Sequence, residues 1–68
     1  MSYVQFIEKI DGISRRAGVS GSTVKFFNDE ELGKYSAVFA DGTIITACKS
    51  SLKVTVRFGS GHQAMATI

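Results

Sequence analysis

The spacing of the apolar residues changes once along this chain, and that change constrains the fold more than any other feature. From Tyr3 to Ala17 the apolar residues recur every three or four positions, as on one face of a helix. From Lys34 onward they recur at every second position, as on one face of a strand. At 68 residues the chain has room for one small domain. The sequence therefore predicts a single α+β domain, 1–68, in which a helix or helices precede an antiparallel meander of three to five short strands.

The first helix carries recognisable end signals. Ser2 is suited to cap its N-terminus, and Gly18 is suited to end it in the left-handed conformation. Arg15 and Arg16 fall in the last turn, where cations interact favourably with the helix dipole. Gly12 is the weak point, because a glycine inside a helix costs about 1 kcal/mol relative to alanine. These signals bound one helix at about residues 2–17.

Turn signals divide the second half of the chain into strands. Asp41-Gly42 lies between two β-rich runs, which is typical of a tight hairpin, and residues 43–48 form the returning strand. The next strand has an apolar side and a wet side, with Leu52, Val54, Val56 and Phe58 alternating with Lys53, Thr55 and Arg57. Gly59-Ser60-Gly61 is a further turn, and residues 62–68 form a weaker last strand.

Residues 10–28 resemble the helix-turn-helix of bacterial and phage repressors, most closely the lactose-repressor type. The segment 17–24, with the sequence AGVSGSTV, is similar to the A-G-V-S-x-x-T-V run of that family. The resemblance implies that Gly18 forms the turn between two helices and that the protein is a small DNA-binding transcriptional regulator. It implies a set of DNA contacts in the major groove and at the phosphates, made by Arg15, Arg16, Ser20, Ser22, Thr23 and Lys25.

The layout downstream is similar to that of Cro-like small phage repressors. Those proteins follow the helix-turn-helix with a hairpin that carries an Ala-Asp-Gly turn, and this chain has Ala40-Asp41-Gly42. The resemblance implies a homodimer in which paired strands set two recognition helices in successive grooves. It covers about residues 1–50 and leaves 51–68 unmatched.

The apolar pattern also supports a second interpretation, in which residues 23–28 form a first strand. Val24 and Phe26 then lie on one face, and Thr23, Lys25 and Phe27 lie on the other. The chain becomes one helix on a five-stranded meander. Small modules of this kind, which include phage-encoded inhibitors, act through a surface, so this interpretation predicts a protein-binding module or inhibitor that uses its sheet face or its edge. A strand-joined homodimer is expected here too, because a chain of this size is marginal alone.

The distribution of charge has two interpretations, a solvated surface that serves solubility alone or a site for an acidic partner. The net charge of +2 is too small to indicate strong non-specific binding to nucleic acid. Residues 29–31 are all acidic, but no acidic residue follows Asp41, whereas Lys49, Lys53 and Arg57 do. We therefore expect a mildly basic sheet face, formed by Lys53, Thr55 and Arg57, to meet DNA or an acidic protein.

Nothing in the sequence indicates catalysis. The chain has one histidine and one cysteine, in no known catalytic or metal-ligand motif, so we expect no enzyme activity, no metal and no cofactor. The apolar runs are too short for a membrane span or a signal peptide. A cytoplasmic location without membrane contact is the corresponding expectation.

Overall fold

One helix precedes five strands, and the strands pair in the order in which they occur. The computed structural model describes residues 2–19, 21–51 and 53–67. Helix α1 spans Tyr3–Ala17, and the strands are β1 (Thr23–Asp29), β2 (Lys34–Phe39), β3 (Ile44–Cys48), β4 (Lys53–Arg57) and β5 (Gln63–Thr67). All neighbouring strands are antiparallel, in the order β1-β2-β3-β4-β5. The predicted α+β class and antiparallel meander are confirmed.

Helix α1 begins and ends where its sequence signals predict. The Ser2 hydroxyl accepts a hydrogen bond from the Gln5 N–H at 3.2 Å, and the Gln5 side chain accepts one from the Ser2 N–H at 2.9 Å. This reciprocal capping box satisfies two N–H groups at the helix start. Gly18 ends the helix with a φ of 77°, a left-handed conformation that glycine adopts without steric cost. Gly12 lies inside an unbroken helix.

The core lies between α1 and one face of the sheet, which we call the covered face. Phe6, Ile10 and Ile13 of the helix are buried. The Phe6 ring meets Phe26 edge-on at a centroid distance of 6.3 Å and lies 5.8 Å from the Tyr35 ring. From the sheet, alternate residues complete the core: Tyr35, Ala37, Phe39, Ile45, Ala47, Val54 and Val56. Among the described residues no helix packs on the other face of the sheet, which we call the open face.

The prediction of a second helix, which a helix-turn-helix requires, is wrong. Residues 23–29 form strand β1, which pairs with β2 through contacts such as Phe27 opposite Ser36. A tertiary contact explains why this segment is a strand and not a helix. The extended backbone places the Phe26 ring against Phe6 and leaves Lys25 and Phe27 exposed. The alternative interpretation, one helix on a five-stranded meander, matches the fold. No recognition helix is present in the described residues to carry the predicted major-groove contacts.

The two turns at one end of the sheet approach each other closely. Gly42 has a φ of 88° in the predicted hairpin turn between β2 and β3. Gly59, in the turn between β4 and β5, lies against this first turn, and a Cβ atom there would collide with the Asp41 carbonyl oxygen.

The predicted strands 43–48 and 62–68 are observed one residue shorter at the start, as Ile44–Cys48 and Gln63–Thr67. Leu52 and Ile68 lie outside the described residues.

Candidate functional site: the open face of the sheet

The open face is built by strand residues that alternate with the core. A row of directly opposed residues crosses all five strands: Phe27, Ser36, Thr46, Thr55 and Met65. Its three central members are half-buried and carry hydroxyl groups. Ser36 Oγ and Thr46 Oγ1 lie 3.5 Å apart. The middle of the open face is therefore polar but uncharged.

Charged side chains surround this polar row, and most of them are basic. Lys25 and Arg57 lie in the neighbouring row on one side, with Val38 and Ile44 between them. On the other side, Lys34 and Lys53 lie at strand starts, and Asp29 is directly opposite Lys34. Asp29 is the one acidic strand residue on this face among the described residues. The field over the open face is thus positive on β3–β5 and partly neutralised near β1.

A shallow hollow of about 390 Å³ lies in the open face. Thr46 and Thr55 line it with Ile44, and Lys34, Arg57 and Gln63 complete its lining. The local fold explains how these residues meet. Lys34 begins β2 directly after the left-handed Gly33, and Arg57 ends β4 before the turn at Gly59. Two cations, hydroxyl groups and an amide around one recess form a site suited to an anionic group.

One aromatic ring is prominent on the open face. The Phe27 side chain is 45% exposed, and the Lys25 ammonium group lies 5.0 Å from its ring centroid. A cation in that position is held by the quadrupole of the ring. Asp29 ends β1, Glu30 and Glu31 follow in the turn, and all three line a recess together with Phe27. The β1 side of the open face is therefore aromatic and mixed in charge, unlike the basic side that carries the hollow.

The six residues predicted for DNA contact do not form one surface. Arg15 and Arg16 are exposed in the last turn of α1, on the layer that covers the sheet. Lys25 lies on the open face instead, and Thr23, next to an irregularity in the β1–β2 pairing, is half-buried. Ser22 is exposed before β1, and Ser20 lies outside the described residues. The helix-turn-helix grouping of these residues is a wrong prediction, because β1 replaces the second helix.

The residues predicted as a basic sheet face are placed on one face. Lys53, Thr55 and Arg57 all lie on the open side of β4. Thr55 and Arg57 line the hollow, and Lys53 does not. Sequence reasoning missed Lys34 and Thr46, which join them there from β2 and β3. The alternation of β3 could have indicated Thr46, but its position beside Thr55 follows from strand register.

Searches for a metal site, for a membrane-spanning helix and for similar proteins give no further indication of function. Within the described ranges, no group of three or more histidine, cysteine, aspartate or glutamate residues could hold a metal ion. No helix in this part of the chain is long and apolar enough to cross a membrane. Comparison with protein families, curated proteins and solved structures found no match.

Proposed function

We propose that this protein is a small protein-binding module that takes an acidic segment of a partner protein on the open face of its sheet. The observation that carries the proposal is the hollow, in which threonine hydroxyls lie between Lys34 and Arg57. A strand face that no helix covers and that brings cations around a recess has the form of a recognition surface. The proposal is of a binding function, without catalysis.

The chemistry of the lining favours a carboxylate. The Arg57 guanidinium can donate two parallel hydrogen bonds to a carboxylate, and the Lys34 ammonium group adds a second positive charge. The hydroxyls of Thr46 and Thr55 can each donate one more hydrogen bond. Ile44, half-buried in the same row as Lys25 and Arg57, offers apolar contact to the aliphatic part of a glutamate side chain. The hollow can therefore bind the carboxylate of an acidic side chain and also contact its aliphatic part.

Nucleic acid is a weaker candidate for the same face. Proteins that bind single strands on a sheet stack successive bases on several aromatic rings. On the described strands, Phe27 is the one aromatic residue on the open face, and it lies at the edge beside residues 29–31. Those acidic groups would repel a phosphate backbone that reached Phe27. DNA binding, which the resemblance to repressors implied, stays a prediction without a recognition helix to support it.

The proposal is tested by titrating the isotope-labelled protein with a poly-glutamate peptide and following backbone NMR shifts. We expect the shifts to cluster on the hollow and to identify Lys34, Thr46, Thr55 and Arg57. The double variant Lys34→Glu/Arg57→Glu should weaken binding by about tenfold or more, because it reverses both cations at the site. Raising the salt concentration should weaken the wild-type complex as well.

The matched control reverses two cations elsewhere. Lys9→Glu/Arg15→Glu makes the same change in net charge on exposed positions of α1. If binding depends on the hollow, this control should bind nearly as the wild type does. Equal weakening by the two double variants would show a response to net charge alone and would overturn the proposal.

A parallel titration with oligothymidylate and with duplex DNA tests the rival. Tighter binding to either nucleic acid than to poly-glutamate at equal salt would replace the protein partner with a nucleic acid. Shifts confined to the hollow with poly-glutamate, and weak diffuse shifts with nucleic acid, are the expected result.

A further inference from the structure

The sheet has two edges, and the hydrogen-bond pattern shows which backbone groups each edge leaves outward. The Phe58 N–H donates to the His62 carbonyl at 2.8 Å, so this pair belongs to the hydrogen-bonded positions between β4 and β5. Pairs alternate along an antiparallel ladder. Ala64 and Ala66 therefore bond to β4, whereas Gln63, Met65 and Thr67 turn their N–H and C=O groups away from the sheet.

The β1 edge also turns backbone groups away from the sheet, but it is protected. The Phe39 N–H donates to the Thr43 carbonyl at 2.8 Å, so alternation directs Phe26 and Asn28 outward from β1. The β1–β2 register shifts between Thr23 and Lys25, and strand β1 carries the charges of Lys25 and Asp29. Irregular pairing and charge are the devices by which natural edge strands resist pairing with other chains.

The β5 edge has none of these protections. Its sequence from Gln63 to Thr67 contains no charged residue and no proline, and it pairs with β4 without a register shift. Met65, at the centre of the strand, is 70% exposed. A regular, neutral edge with an exposed apolar side chain is a template for one more strand.

We propose that the strand added at this edge is β5 of a second copy of this chain, in antiparallel orientation about a two-fold axis at Met65. In that register Met65 pairs with Met65 of the second copy, and Gln63 pairs with Thr67 at both ends. All the outward N–H and C=O groups of the strand then have partners. The proposal goes beyond the binding function above, because the pairing uses backbone groups at the edge and leaves the hollow open.

The side chains of β5 are complementary to their own two-fold copies. On the open face, the two Met65 side chains become cross-strand neighbours and lose exposed apolar surface. On the covered face, the small Ala64 and Ala66 lie opposite each other across the seam. They also line an apolar groove of about 330 Å³ between β5 and the last turns of α1, with Ile13, Ala17 and Phe58. A second copy at this edge would add apolar surface beside that groove.

The charges near the seam permit this arrangement. The nearest strand cations are Lys53, opposite Thr67, and Arg57, opposite Gln63. In the paired sheet, Lys53 of one copy and Arg57 of the other share a row but lie three strand spacings apart, about 14 Å. This exceeds the screening length of about 8 Å at physiological salt. Arg16, which lines the groove, turns back along α1, where its Nε donates to the Gly12 carbonyl at 3.3 Å.

Sedimentation velocity of the full chain over a range of concentrations tests the proposal with two proline variants. Met65→Pro removes the outward N–H at the centre of the seam and no hydrogen bond to β4, and edge strands tolerate proline at such positions. Asn28→Pro makes the same change at an outward position of β1. We expect a monomer–dimer equilibrium whose Kd rises about tenfold or more in Met65→Pro, since two backbone hydrogen bonds are lost, and stays unchanged in Asn28→Pro.

A second pair of variants keeps the test decisive if Met65→Pro does not fold, as circular dichroism would show. Met65→Lys retains the backbone and opposes two cations across the seam, so it should also raise the dimer Kd. Leu32→Lys adds the same charge at a 69% exposed position in the β1–β2 turn and should leave the Kd unchanged. A chain that is monomeric at every concentration, or a dimer that Asn28→Pro or Leu32→Lys weakens as strongly as the Met65 variants, overturns the proposal.

Discussion

On strand β4, Val54 and Val56 are buried beneath the helix, whereas Thr55 between them is half-buried on the open face. The same contrast holds on β2 and β3, where Ser36 and Thr46 are each half-buried on the open face between two buried core residues. One backbone thus serves two purposes, because adjacent residues of a strand point to opposite faces. The covered face holds the buried core, and the open face is free to carry polar and charged residues.

The contrast between the faces predicts very different costs for losing a phenylalanine on each. Phe6→Ala should lower the free energy of unfolding by about 3–5 kcal/mol, because Phe6 is fully buried against Phe26 and Tyr35. In a chain of this size that loss leaves little folded protein. Phe27→Ala on the open face should cost less than about 1 kcal/mol, mainly the contact with Lys25. Urea unfolding followed by far-UV circular dichroism measures the change in the free energy of unfolding for both variants. Equal losses in the two variants would contradict the inference that the covered face contributes more to stability than the open face.

A pair of neighbouring residues on β4 sharpens the comparison at nearly constant volume. Val56→Thr places a hydroxyl in the core and should cost about 1–3 kcal/mol. Thr55→Val removes a hydroxyl from the open face and should change the free energy of unfolding by less than about 0.5 kcal/mol. The binding assay should reverse this order, because Thr55 lines the hollow. Thermal unfolding and the poly-glutamate titration together check the pair, and a large loss of stability in Thr55→Val would break the comparison.

The contrast also explains which parts of the fold could be predicted from the sequence. Burial on the covered face requires apolar residues at strict spacing, so the helix and the strands after Lys34 could be predicted. The signals at Ser2 and Gly18 that end the helix are local in sequence and could be predicted as well. The sequence leaves residues 19–32 ambiguous, because the local pattern of this segment suits a helix as well as a strand. A distant contact decides between the two, since the Phe26 ring packs on Phe6 when residues 23–29 are extended.

The open face is harder to predict because polar residues there follow no strict period. The wet side of β4 could be predicted, and it places Thr55 and Arg57 in the hollow. Lys34 and Thr46 could not be assigned to the same site, because they are distant in sequence and meet through the register of β2 with β3 and of β3 with β4. A site assembled across strands needs the pairing pattern, which single-strand periodicity does not contain.

The smallest expected effect concerns the turn that leads into the covered face at Thr43, a fully buried residue. The Thr43 N–H donates to Asp41 Oδ1 at 2.9 Å, and this bond lowers the pKa of Asp41 below its ordinary value of 3.8. Because the pKa is lower in the folded state, the ionised carboxylate stabilises the fold above the unfolded-state pKa. This contribution is lost as the pH falls through the folded-state pKa.

Asp41→Asn keeps an acceptor for the Thr43 N–H but removes the charge that strengthens the bond. The variant should therefore be slightly less stable than the wild type at about pH 7, and the difference should shrink as the pH falls below the unfolded-state pKa and through the lower folded-state pKa, where the wild-type carboxyl becomes protonated. Urea unfolding of both proteins across this range measures the effect. A difference that persists unchanged in acid would show that the geometry of the turn matters and the charge of Asp41 does not. Asp41 would then contribute to the free energy of unfolding only through the shape of the turn, and the stability of the fold would not depend on an ionised group at this position.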